Sequence, residues 1–287
     1  MTIRQRSLFL YFLYSCLLTG VLLVVRFPVE TLRQYCVGAM ERALPGMTCS
    51  IGGMDYVFPL TFRIHDIRVT RLHSPEDVFV FVKNLFVRVE PRQSSARLLA
   101  EAYGGRQECR MLIKGKALTL ADVTVHHLDL SQWGGLQNLL GRKVSGFLEA
   151  TGAYTGRLDE LMAGEAKGIV AVREGSMELL QPILSLDTIN FQSIETEFHL
   201  RDQRVTITKG NLHGVEFNGT FAGTFTMTAP LGSGALGVSG ELTPLSFADA
   251  DPGWKNRATI LQTRYKQATL PFVISGTLAG PLFRFGG

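Results

Sequence analysis

His126 and His127 are the only adjacent histidines in the chain. Paired imidazoles can hold a divalent metal or shuttle protons. On a regular strand, however, neighbouring side chains point to opposite faces, so the two cannot ligate one ion. His65-Asp66 has the same defect. Glu195 and Glu197 do share a strand face, but nothing around them in the sequence would set one apart as acid and the other as base. A solvated face is the expectation there. No H-E-x-x-H, G-x-S-x-G or Walker loop is present. The expectation is a non-enzyme with no catalytic residues, no metal and no cofactor.

Cysteine and charge narrow the classes further. Cys16 lies in an apolar run, which leaves Cys36, Cys49 and Cys109 and no C-x-x-C spacing. Three unpaired thiols are expected, with Cys36–Cys49 as the pair if one forms. The net charge of +4 comes from 29 basic and 25 acidic side chains with no Lys/Arg-rich run. Nucleic acid is therefore not an expected partner.

The residues that stand out are apolar. In Val215–Thr228, Val215, Phe217, Phe221, Phe225 and Met227 fall on one face with Gly219 and Gly223 between them. Glu216, Asn218, Thr220, Thr224, Thr226 and Thr228 fall on the other. This is strict period-2 alternation, long enough for roughly 46 Å of strand. One apolar and one polar face implies a large, half-buried antiparallel sheet. Gly219-x-x-x-Gly223 has the spacing of a membrane-helix dimer motif, but it sits in a strand. Phe217, Phe221, Phe225 and Met227 have two readings: they face a closed core, or they line a groove that accepts an acyl chain or a partner's strand.

The rest of the chain agrees with a mainly β domain of large curved antiparallel sheet. Strands are expected over Ile64–Val69, Val78–Val89, Leu118–Leu130, Val144–Thr155, Gly168–Val172, Ile189–Leu200 and Val205–Thr208, and Leu270, Phe272, Ile274 and Leu278 repeat the alternation. Short helices are expected over Ser94–Tyr103, ending at Gly104-Gly105, and over Ser131–Leu140, ending at Gly141. Asp249–Gln267 reads as a loop with one helical turn.

Ahead of this domain, Leu8–Val25 is an uncharged run of 18 residues. As a helix it is about 27 Å long, close to the bilayer core. A cleaved signal would have a shorter apolar core and a small-x-small site; here Val24-Val25-Arg26-Phe27-Pro28-Val29 follows. The division expected is a cytoplasmic stub 1–7, a single transmembrane helix 8–25, a juxtamembrane amphipathic helix 28–45 and a β-rich domain 47–287. The helix has an apolar face of Val29, Leu32, Cys36, Ala39, Met40 and Ala43; it lies on the bilayer or caps the sheet. Arg4 and Arg6 precede the run, which favours a cytoplasmic N-terminus, and the bulk of the chain in the periplasm of a bacterium.

The order of several short patterns resembles the bacterial type II secretion system protein N family (GspN) and, more loosely, the AsmA-like periplasmic proteins. They are Phe27-Pro28-Val29 after the apolar run, Gly104-Gly105, and His127-Leu128-Asp129-Leu130-Ser131 leading into Leu136-Gln137-Asn138-Leu139-Leu140-Gly141. Val144-Ser145-Gly146-Phe147-Leu148 follows. Gly219-Thr220-Phe221 through Pro230-Leu231-Gly232-Ser233, and Ile274-Ser275-Gly276-Thr277-Leu278-Ala279-Gly280-Pro281, complete the order. The resemblance implies an inner-membrane component of a type II secretion apparatus. Its partners would be the membrane and other secretion or envelope proteins. The AsmA-like alternative implies lipid binding or transfer, with acyl chains as ligand.

Overall fold

The computed structural model describes residues 11–15, 18, 29–44, 46–58, 60–72, 74–183, 186–228, 231–245, 259–260, 263 and 269–286. The expected stub 1–7 lies outside them, as does most of the expected transmembrane run 8–25. Residues 11–15 and 18 of that run are helical with exposed side chains. Among the described residues no helix is long and apolar enough to cross a membrane. Most of the Asp249–Gln267 loop also lies outside.

From Met47 onward the chain forms one antiparallel sheet of fourteen strands, paired in chain order from β1 to β14. The strands are β1 Met47–Val57, β2 Thr61–Arg71, β3 Ser74–Glu90, β4 Ser95–Ala102, β5 Gly105–Lys114, β6 Ala117–Asp129 and β7 Val144–Arg157. They continue with β8 Glu160–Ile183, β9 Leu186–Arg201, β10 Arg204–Gly214, β11 Phe217–Thr226, β12 Leu236–Pro244, β13 Leu270–Gly276 and β14 Pro281–Phe285. Two helices accompany them, α1 Val29–Ala43 and α2 Gly134–Leu140. The large antiparallel sheet with a few short helices is thus as the sequence led one to expect.

Three details differ. Ser94–Tyr103 is not a helix: Ser95–Ala102 is strand β4, and Tyr103-Gly104, at φ of 52° and 72°, is a two-residue hairpin turn into β5. Positive φ at both central positions gives the twist that suits a tight hairpin. The strand expected over Val215–Thr228 is shorter, because Val215 and Glu216 turn the chain between β10 and β11 and Val215 is exposed. Leu278 falls in the turn after β13 rather than on it.

The sheet curls. If flat, β3 and β13 would lie roughly 48 Å apart at the usual strand spacing. Yet the short stretch around α2 reaches both: Trp133 Nε1 donates to the Phe79 carbonyl on β3 at 2.9 Å, and Arg142 Nη2 donates to the Leu278 carbonyl just past β13 at 3.4 Å. Bulges supply the bend. Asp122, His127 and Glu174 have φ near +50° and sit where the ladder shifts register, and Asp66 shares that conformation in β2. An extra residue of this kind kinks and twists its strand.

Both edges are managed. α1 turns Leu32, Cys36, Val37 and Met40 onto Ile51, Met54, Ile67 and Val69, so it caps the sheet. It also binds the free edge of β1: Arg33 Nη1 donates to the Ile51 carbonyl, and the Cys49 N–H donates to Glu41 Oε1. The opposite edge, β14, is five residues long and begins with proline, features that discourage further pairing. Cys36, Cys49 and Cys109 are free thiols, and burial pushes all three upward from the ordinary thiol range.

β3 overshoots its neighbour. Its pairing with β4 begins only at Asn84, which leaves the β4-facing side of the segment ahead of it without a ladder. Side chains take the freed groups. The Phe81 N–H donates to Tyr103 Oη at 2.7 Å, and the Phe79 carbonyl accepts from Trp133, whose ring stacks on Tyr103. Gly135 lies so close to the Phe79 backbone that a Cβ there would collide with it. Burial raises the Tyr103 hydroxyl above the usual tyrosine range. Removing it should leave the Phe81 N–H unpaired. Tyr103→Phe is expected to lower stability by about 1–2 kcal/mol in urea unfolding, with an unchanged slope; an unchanged midpoint would show that the bond contributes nothing.

Candidate functional site

Two hollows lie on either side of the α2 region. The first is apolar. β8 and β9 form a hairpin whose register shifts between Glu178 and Ile183, so the tip bends. Leu186 and Ile189 from that tip pack against Phe217, Val238, Leu242, Leu270 and Phe272 of β11–β13. Between tip and sheet remains a cavity of about 320 Å³, bounded by Leu179, Ile194, Leu212, Phe217, Phe221 and Phe283 among others. Its polar margin is small and includes Arg142. Burial lowers this guanidinium from its ordinary value. Its bonds are to backbone carbonyls, those of Leu140 at 3.1 Å and Leu278 at 3.4 Å. Among the described residues no carboxylate pairs with it.

The apolar stripe read from the sequence divides here. Phe217 is only 4% exposed and belongs to the buried cluster, one side of which also walls the cavity. Phe221 is half-buried and borders the cavity, its ring seated over Gly210 of β10 and its Cα and Cβ over Gly240 of β12. A Cβ at either glycine would meet Phe221, so the smallest residue is needed on both flanking strands. Phe225 lies against Gly234 instead, and Met227 follows the end of β11; neither borders the cavity. The other lining residues, such as Leu179 and Ile194, lie on strands whose sequence shows apolarity but not which hollow it faces.

The second hollow is polar, a cleft of about 1270 Å³ in the notch where β3 overshoots β4. Arg68 from β2, Lys83 from β3, Glu101 from β4, Arg106 from β5 and both His126 and His127 from β6 line it, with Gln132 and Asn138 on the α2 side. This corrects the expectation for the histidine pair. Their strand is not regular: His127 sits at φ +53° in a bulge between Val125 and Leu128, and both residues border one cleft. The His127 ring lies flat on Phe147, with centroids 4.0 Å apart. Among the described residues no group of His, Cys, Asp and Glu is arranged to hold a metal.

Glu101 ends a hydrogen-bonded chain across four strands. Its Oε2 accepts from Asn84 Nδ2 at 2.7 Å, Asn84 Oδ1 lies 3.0 Å from His65 Nδ1, and His65 Nε2 lies 2.7 Å from Asp55 Oδ2. The sequence hinted at His65-Asp66; the actual partners come from β1 and β3, which spacing does not reveal. Glu195 and Glu197 are exposed as expected, Glu195 lying 3.6 Å from Arg173, which also bonds Glu149. Such exposed pairs are worth less than about 1 kcal/mol each.

Closed core and open hollow predict different costs. Phe217→Ala should destabilise the fold by about 3–5 kcal/mol, through lost transfer energy and a new void. Phe221→Ala, beside an existing void, should cost about 1–2 kcal/mol. Denaturant unfolding of the two variants checks the order; equal losses would mean the cavity is packed like core.

No family model, curated protein or solved structure matches this chain.

Proposed function

We propose that this chain is a non-enzymatic protein of the bacterial envelope, anchored in the inner membrane through 8–25, whose periplasmic sheet binds an acyl chain. The apolar cavity is the observation that carries the reading. An apolar occupant gains by covering walls that water would otherwise wet, and the volume of about 320 Å³ falls at the lower end of small-ligand sites, roughly 300–1,000 Å³. Arg142 at the margin suits the acidic end of such a chain, because a half-buried cation gains most from a charged partner.

The type II secretion reading rests on the order of short patterns and is compatible with the same anchored sheet. In that case the cavity would receive an apolar segment of a partner protein. The two readings part on what is carried through purification.

The full-length chain is purified in detergent and its bound lipids are extracted for mass spectrometry. The wild type should retain acyl lipid at a fixed stoichiometry. Phe221→Asp, which places a carboxylate in the cavity wall, should remain folded by circular dichroism and lose that lipid. Retention of the same lipid by Phe221→Asp, or no lipid in the wild type, would refute acyl binding at this site.

A further inference from the structure

The polar cleft shares no lining residue with the apolar cavity, and its chemistry is different. We propose that it is a binding site for a phosphate-bearing anion. Three fixed cations border it, Arg68, Lys83 and Arg106, against one carboxylate, Glu101. Glu101 is already engaged by Asn84, and Arg106 by Glu108 at 2.8 Å. Arg68 rests over the Phe81 ring with its guanidinium carbon 5.8 Å from the centroid. Neither Arg68 nor Lys83 has a carboxylate partner among the described residues. Some cations elsewhere on the sheet do pair: Arg157 and Lys116 share Asp159, Arg173 bridges Glu149 and Glu195, and Arg201 bonds Glu165.

The backbone adds to this. Arg106 stands directly across the ladder from His126, which places an imidazole nitrogen donor on the strand beside it. His127 borders the same space, with its ring stacked on Phe147. Arginine's planar fork matches phosphate oxygens, and lysine adds a point charge. The open cleft has room for more than inorganic phosphate, so a group bearing more than one phosphate, or a phosphate on a larger body, fits it.

Isothermal titration of the full-length chain uses three probes: inorganic pyrophosphate, dihexanoyl phosphatidic acid and dihexanoyl phosphatidylcholine. Arg68, Lys83, Arg106 and both histidines are exposed, so their replacement leaves the core intact. Arg68→Gln/Lys83→Gln should weaken binding about tenfold or more, the effect of losing one charge-assisted contact or two, with an unchanged melting temperature. Arg142→Gln, in the other hollow, should leave pyrophosphate binding as it is. Binding of both anionic probes identifies the phosphate itself as the recognised group. Binding of phosphatidic acid alone identifies a lipid head group. Either result supports the proposal if the double variant weakens it about tenfold or more. Absence of binding by both, equal binding of the zwitterionic lipid, or anion binding unaffected by the double variant would overturn it. Because pyrophosphate carries no acyl chain, its result is independent of whether the apolar cavity holds lipid.

Discussion

A sheet of fourteen strands, with no second sheet among the described residues, must cover its own apolar face. Exposed strips of that size would drive association, and each strand contributes more apolar area than a short helix can hide. Here the cover comes from curvature. Bulges at Asp122, His127 and Glu174 bend the ladder, and the β8–β9 tip folds over β11–β13. α1 covers one end of the sheet, at β1–β3, while Trp133 and Gly135 press the start of α2 onto β3. The two hollows beside α2 follow from the imperfect fit of one curled layer to itself.

That origin explains why the two hollows differ in chemistry. The apolar one forms where strand faces turn toward each other, so its walls are the side chains that would otherwise be core. Phe217, deeply buried, and Phe221, half-buried, both wall it and belong to the same stripe, four residues apart. The polar one forms where β3 runs past β4 and backbone groups lose their ladder. Tyr103 and Trp133 bond two of these groups, and the remaining walls are free to be polar.

Much of the architecture was legible because it rests on period two. The alternation in β11 placed Phe217, Phe221 and Phe225 on one face, and Gly141, with its φ of 64°, ends α2 where a helix stop was expected. Ser94–Tyr103 was misread because Ala96, Arg97, Leu98, Leu99 and Ala100 all favour helix in isolation; pairing with β3 and β5 outweighs that preference. The histidine pair was misread for a related reason. Alternation assumes an unbroken strand, and nothing in Val125-His126-His127-Leu128 announces a bulge. The extent of β8 was hidden as well: of its 24 residues only Gly168–Val172 has a strand-like composition.

The central claim is that the space between the β8–β9 tip and β11–β13 holds an acyl chain. Photo-crosslinking with a diazirine-bearing palmitate, followed by peptide mapping of the labelled full-length chain, tests it most directly. Label concentrated on β8–β13 residues such as Leu179, Ile194, Leu212 and Phe221, and competed away by unmodified palmitate, is the result predicted. Label spread over the exposed strands, or confined to 8–25 and indifferent to competitor, would contradict it.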